Sequence, residues 1–257
     1  MIFRHNTNSY FLTSLLAIYL QAKKSILEMP KELSYYPEVE EDIAINDCNA
    51  HFYEEISIEI IKDLAIKGGL NTCCDVELVQ EFINNSTSIL EMGAGYGRVL
   101  QYLLSHDCKA DITAVERSSH LCQKLLADYS ERVSIHNIDI RNNDLKKKFD
   151  LILWLWSGIS DFSFAEQKIM LKKLYLLLNE NGIIILDTLE CDQVPFKSEM
   201  ISKKSCCLKI ENNKFFGCIP GQEEIDEYAQ NLNFKTIQHI KYETKTKRKR
   251  SLHIFMK

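Results

Sequence analysis

The sequence is short of the residues that interrupt regular structure: its 257 residues include only 9 glycines and 4 prolines. Average usage of about 7% Gly and about 5% Pro gives roughly 18 and 13 in a chain of this length. Collagen-like, Gly/Ser-linker and proline-rich disordered organisations are excluded. A large excess of one charge is also missing. The net charge is −5 at pH 7, so no overall basic field recruits nucleic acid. The nine cysteines (Cys48, Cys73, Cys74, Cys108, Cys122, Cys191, Cys206, Cys207 and Cys218) lack the C-x-x-C spacing of a zinc or redox site. They read as free thiols in a reducing compartment, the cytoplasm, several of them as small core residues, and no metal is implied. The nearest thing to a long apolar run, residues 10–20, is too short to span a bilayer and has no clear cleavage pattern after it. Leu12, Leu16 and Leu20 recur at helical spacing there, which suits a packed amphipathic helix and no membrane partner.

What is present is ordinary globular composition, 46% hydrophobic and 26% charged, enough for one large domain or a domain with an extension. Charge is uneven along the chain. Residues 28–81 hold 14 Asp/Glu against 3 Lys/Arg, and residues 235–257 hold 8 Lys/Arg against one Glu. Both ends read as solvated faces. The first 85 residues are helical in pattern: a helix over 9–27, an acidic connector over 30–50, a helix over 52–67 ended by Gly68-Gly69, and another near 75–84. Beyond them short apolar runs alternate with helical patterns. Strands are expected at 88–92, 112–115, 133–137, 149–155 and 183–186, with helices at 97–105, 119–129 and 165–178, the last stopped by Asn181-Gly182. This alternation predicts an α/β fold, a doubly wound and mostly parallel sheet. A hairpin over Glu211-Asn212-Asn213 and a helix at 222–231 follow. Strands at 234–242 and 252–256 are joined too tightly for a crossover, so the last strand is antiparallel.

Three of the nine glycines fall within five residues, in Glu91-Met92-Gly93-Ala94-Gly95-Tyr96-Gly97-Arg98, where a buried strand runs into a helix. Two of them let backbone pass close to a ligand, and the third lets the helix start against the strand. A dinucleotide fingerprint requires glycine at position 98, where Arg98 stands, so a nicotinamide oxidoreductase is disfavoured. Two more carboxylates end successive strands: Glu116, 25 residues after Glu91, and Asp139 just past the third strand.

The G-x-G-x-G spacing, with Glu91 two residues ahead of it, resembles motif I of the class I S-adenosylmethionine-dependent methyltransferases. The resemblance covers roughly residues 86–257 and implies a seven-stranded Rossmann-like core whose last strand is antiparallel, carrying a hairpin insertion at about 192–219. It implies that residues 1–85 form a helical lid. By the same resemblance, Glu91, Gly93, Ala94, Gly95 and Gly97 cradle the amino-acid end of S-adenosylmethionine. Glu116 accepts from both ribose hydroxyls and Arg117 lies beside it. Asp139 accepts from the adenine amine while the Ile140 N–H meets a ring nitrogen. S-adenosylhomocysteine is the product.

The fourth strand ends in Leu153-Trp154-Leu155-Trp156-Ser157-Gly158-Ile159-Ser160-Asp161, a loop that in open parallel sheets faces the reacting groups. It lacks the [N/D]-P-P-[Y/F] of amino-group nucleic-acid methylases, and no Pro-Cys occurs anywhere. Nucleic acid is therefore not the expected partner; a small-molecule methyl acceptor is. Trp154 and Trp156 share strand parity, Trp154 reading as core and Trp156 as either core or site lining. Tyr53 is either the aromatic that closes over the methionine end or an ordinary helix-face tyrosine, and Tyr35-Tyr36 is a weaker version of the same idea. Asp161 is the best-placed proton acceptor, unless it is a solvated loop residue. The run Lys245-Thr246-Lys247-Arg248-Lys249-Arg250 reads as a solvated hairpin or a phosphate contact. Protein or RNA methylation and a non-catalytic cofactor-binding module remain the alternatives.

Overall fold

A computed structural model describes residues 38–141, 145–190, 193, 198–202 and 204–257, with side chains from residue 45 onward except at position 236. The helix expected over 9–27, Tyr35-Tyr36, Cys191 and part of the expected insertion lie outside the described residues. The chain divides into residues 1–41 and a compact unit, residues 42–257, which takes helices and sheet together.

The acidic stretch is helix from Glu38, not a connector: α1 spans Glu38–Glu55. Residues 38–67 contain no Gly or Pro to stop it, and Glu, Ala and Ile carry it. The expected helix over 52–67 is instead the end of α1 and a separate α2, Ile58–Gly68. Ser57 breaks them: it is extended, and its hydroxyl accepts from the Ile60 N–H at 3.3 Å as an N-cap. The helix near 75–84 is likewise two short ones, α3 (Cys74–Glu77) and α4 (Gln80–Asn84).

The core sheet is built from β1 (Ser88–Met92), β2 (Asp111–Glu116), β3 (Val133–Asn137), β4 (Phe149–Trp154), β5 (Leu178–Leu189), β9 (Thr236–Glu243) and β10 (Lys249–Met256). Between them run α5 (Arg98–Ser105), α6 (Ser119–Tyr129), α7 (Phe164–Leu176) and α8 (Gln222–Asn231). A second, three-stranded sheet is formed by β6 (Glu199–Met200), β7 (Ser205–Ile210) and β8 (Asn213–Cys218). The strand order of the large sheet is β3-β2-β1-β4-β5-β10-β9. β1 to β5 pair in parallel, and β10 is antiparallel to both β5 and β9. The order reverses between β1 and β4, and the crevice beyond their carboxyl ends is where such sheets bind ligands. Asn181-Gly182 is not a turn between helix and strand. It falls inside β5, where the extra residues bulge between the pairs Phe149–Leu178 and Leu151–Ile183 and Asn181 takes left-handed backbone.

Alternation along each strand divides the core. Leu90, Ile152, Trp154, Ile184 and Leu186 pack with α7 and α8 on one face. Ile89, Leu151, Leu153 and Ile185 pack with α5 on the other. Among the described residues no helix is long and apolar enough to cross a membrane.

Arg98 occupies the position where a dinucleotide fold needs glycine, and it has a structural task. Its guanidinium meets the fully buried Asp75 of α3 through two hydrogen bonds of 2.7 and 2.6 Å and donates to the Leu70 carbonyl at 3.0 Å. This fork pins the short helices to the start of α5. Asp75→Ala leaves an unpaired buried guanidinium and should cost about 3–5 kcal/mol in urea unfolding. A loss under about 1 kcal/mol, as for a surface pair, would contradict this role.

Candidate functional site

A cavity of about 260 Å³ lies beyond the carboxyl ends of β1, β2 and β4. Its other wall is formed by Phe52 and Tyr53 of α1 and by Cys206, Leu208 and Phe215 of the β7–β8 hairpin. The glycine turn forms its floor. Gly93 and Gly95 have φ of 69° and 56°, and a Cβ built on either meets nothing within 4 Å, so both open onto the cavity. The Gly93 and Ala94 N–H groups donate to the Val115 carbonyl at 2.9 and 3.1 Å, which fixes the turn to β2. Gly97 faces inward: a Cβ there would lie 2.6 Å from the Tyr129 ring, so the third glycine lets α5 pack on α6.

The carboxylates differ in what satisfies them. Glu91 is 5% exposed, and its Oε2 has no hydrogen-bond partner. Burial pushes its carboxyl up to about 8 against the lowering influence of Arg98. Glu116 is also buried, but it accepts from the Gly95 N–H through Oε2 and the Ser118 N–H through Oε1, both at 2.8 Å. Burial raises it, and these two donors oppose the rise. Asp139 lines the cavity yet is not the free acceptor expected for an adenine amine. Arg141 Nε donates to both of its oxygens at 3.0 Å, and the Arg141 backbone N–H donates to Oδ1. Burial raises Asp139, but Arg141 outweighs it and holds the carboxyl below its ordinary value. Ile140 is buried beside it in the cavity wall.

Asp161 ends the 3₁₀ turn Gly158–Asp161 and is half-buried on the cavity wall, not a solvated loop residue. Loss of water contact raises it to about 7, while Arg117 and a hydrogen bond with Tyr53 pull it down. Tyr53 is raised well above its usual value, first by burial and then by Asp161. Arg117 lies with its guanidinium 5.6 Å from the centre of the Tyr53 ring.

Trp154 and Trp156 do not share a face, because β4 ends at Trp154. Trp156 and Ser157 take left-handed backbone, φ 53° and 55°. Trp154 is buried core, edge-on to Phe162 at 5.7 Å, and borders the cavity from within the strand; Trp156 lines it from the turn, edge-on to Tyr96. The strained turn is held from below. Asp187 accepts the Ser157 N–H at 3.2 Å and Arg250 Nε at 3.1 Å, and Arg250 Nη2 donates to the Ser157 hydroxyl at 2.6 Å. The basic run is therefore not uniformly solvated: Lys245 and Lys247 are exposed, Arg248 lines the cavity, and Arg250 is buried.

Sequence reasoning missed Asn49. Fully buried, its Nδ2 donates to the Asp161 carbonyl at 2.9 Å and the Phe216 carbonyl at 2.8 Å, and its Oδ1 accepts from the Phe216 N–H at 2.8 Å. One amide thus joins α1, the 3₁₀ turn and β8, three elements that each contribute residues to the cavity wall. Its spacing of four from Tyr53, which puts both on one helix face, was the available signal.

With this geometry in view, residues 89–182 match the family model for a methyltransferase domain. That stretch resembles a methyltransferase domain, and the strand order is that of the methyltransferase fold. A malonyl-(acyl-carrier protein) O-methyltransferase of Priestia megaterium is 33% identical over 113 residues, which are 44% of this chain and 40% of that relative. The chain therefore matches well under half of that protein's length. Among solved structures, magnesium protoporphyrin IX methyltransferase from Synechocystis PCC 6803 with bound S-adenosylmethionine aligns with a TM-score of 0.60 at 12% identity, over 83% of this chain and 97% of that one. The 1,6-didemethyltoxoflavin-N1-methyltransferase of Burkholderia thailandensis aligns with a TM-score of 0.60 at 15% identity, over 85% and 89%. At such identities the structures speak to the methyltransferase fold alone.

If Asn49 holds the domain's cavity closed, Asn49→Ala should speed hydrogen exchange at the Phe216 N–H by about tenfold or more while β1 amides keep their protection. Unchanged exchange at Phe216 would show that the amide clasp does not hold the hairpin.

Proposed function

We propose that the protein binds S-adenosylmethionine in this cavity and transfers a methyl group to a nitrogen or oxygen nucleophile of a small molecule. The observation that carries the reading is the unpartnered Glu91 Oε2 at the glycine turn. A buried carboxylate oxygen with no donor suits an ammonium group, and the open faces of Gly93 and Gly95 leave room for the chain attached to it. Glu116 retains lone pairs for ribose hydroxyls beyond the two backbone donors it holds. Trp156 and Tyr53 supply apolar walls and Ala94 lies at the turn, while Gly97 acts only indirectly, by letting α5 start against α6. Asp139 fits an adenine amine less well because Arg141 already occupies it. When bound, the cofactor supplies a methyl group made electrophilic by its sulfonium.

The chain's own residues then have to orient the acceptor, exclude water and hold a proton. Asp161, next to Tyr53, is the group to take that proton, and it does so only when ionised, at about pH 7 and above. α1 and the β7–β8 hairpin act as the lid, with Asn49 as its fastening, and this enclosure favours a compact acceptor over a macromolecule. The similarity to an O-methyltransferase in Priestia megaterium supports the same reaction class. The exposed lysines at 245 and 247 favour the other reading, methylation of RNA; salt-dependent RNA retention lost on their charge reversal would support it.

Calorimetry with S-adenosylhomocysteine tests the first step. The wild type should bind, and Glu116→Ala and Gly95→Val should each lose about tenfold or more in affinity. No binding by the wild type, or full affinity in both variants, would overturn the assignment. The Asp161 carboxyl adds a pH signature to the ligand-free protein. Because its folded value is raised, the stability it contributes is present below its unfolded value of about 4 and is lost as pH rises through about 7. Asp161→Asn should therefore gain in Tm on the wild type between about pH 5 and about pH 8; parallel Tm curves would place Asp161 in water.

A further inference from the structure

A guanidinium carries five donors and cannot shed its charge, so terminal nitrogens closed off from water require acceptors. Three arginines at or beside the cavity obey this rule. Arg98 is forked on Asp75, Arg250 on Asp187 and Arg141 on Asp139. Arg117 does not. Both Nη1 and Nη2 are buried, and neither has a hydrogen-bond partner among the described residues. The side chain lines the cavity and packs over the Tyr53 ring.

We infer that Arg117 is the subsite for a carboxylate of the methyl acceptor, so that the substrate is a small organic acid. This deepens the methyl-transfer reading and rests on it. A planar carboxylate accepts two parallel N–H bonds from one guanidinium edge, and Nη1 and Nη2 are the pair without a partner here, so the ligand must displace the packing that covers them. The surroundings limit the charge that fits. Arg117 lies in the field of Glu116, Asp139 and Asp161, so a monoanion is accommodated where a phosphate dianion would be repelled.

The cofactor's own carboxylate is a poor match for this position. It shares a carbon atom with the ammonium, so both must be met in one place, and Glu91 is the group suited to the ammonium. The charges that act on Glu91 are Arg98, Glu116 and Asp75, with Arg117 absent. Arg117 acts on Glu116 and Asp139 and also on Tyr53 and Asp161, and its guanidinium lies over the Tyr53 ring, beside the group assigned to the acceptor's proton. On this proposal Arg117 serves acceptor recognition, where the sequence resemblance placed it beside the cofactor's ribose group.

Ligand binding tests this without knowing the substrate. Wild type saturated with S-adenosylhomocysteine is titrated with acetate, with acetamide as the neutral isostere, and with inorganic phosphate. Acetate should bind saturably in the millimolar range, and acetamide and phosphate about tenfold or more weaker. Arg117→Met should lose acetate binding, Arg117→Lys should keep part of it, and both should bind S-adenosylhomocysteine within about twofold of wild type. Retained affinity for S-adenosylhomocysteine also certifies that the variants are folded. No saturable acetate binding, acetamide binding equal to acetate, phosphate binding tighter than acetate, or full acetate binding by Arg117→Met would each overturn the inference. A parallel loss of S-adenosylhomocysteine affinity would return Arg117 to the cofactor. Should the wild type not bind S-adenosylhomocysteine at all, the methyl-transfer reading fails by itself. Acetate titration of the ligand-free protein, with and without Arg117, would then still decide the anion subsite.

Discussion

The whole site depends on one constraint: an ionised group withdrawn from water must find a partner, change its protonation, or wait for a ligand. The described residues around the cavity use all three. Arg98–Asp75 and Arg250–Asp187 are fully paired and serve as struts. Asp161 shifts its proton affinity toward neutrality. Glu91 and Arg117 keep donor or acceptor capacity that nothing among the described residues fills. The internally satisfied groups build the scaffold, and the unsatisfied ones mark where ligand chemistry is completed.

The struts explain why the reactive loop can be strained. Trp156 and Ser157 occupy left-handed backbone that ordinary residues avoid, at a cost of about 1–3 kcal/mol each. Asp187 and Arg250, from β5 and β10, hold that turn through the Ser157 amide and hydroxyl. The antiparallel last strand is thus more than an edge: it delivers the guanidinium that shapes the loop above β4. Asn49 performs an equivalent task with a neutral amide, tying α1 to the 3₁₀ turn and to β8.

The alternation of strands and helices from residue 88 onward was legible because parallel strands buried on both faces must be apolar runs, and β1 through β4 and β10 lie close to where their patterns put them. The glycine turn was legible because only glycine combines positive φ with an open face. Boundaries set by single residues were not. Ser57 divides one amphipathic pattern into two helices, and Asn181-Gly182, an ordinary turn signal, is absorbed within β5. Pairing was also hidden. Asp139 looks like a free acid until Arg141 folds back on it, and Arg250 looks like one more charge in a basic run until β10 buries it. Asn49 offered only its spacing of four from Tyr53, since a lone asparagine on a helix otherwise reads as surface.

The central claim, that Glu91 is held without a partner for an incoming ammonium, has a direct thermodynamic readout. With its carboxyl pushed up to about 8, Glu91 is mostly protonated at pH 7 in the free protein, and pairing with an ammonium favours the ionised form. Titrating S-adenosylhomocysteine at pH 7 in two buffers of different ionisation enthalpy counts the protons exchanged. The account requires release of about one proton per ligand bound, abolished in Glu91→Gln. Binding with no proton release, or the same release in Glu91→Gln, would contradict it.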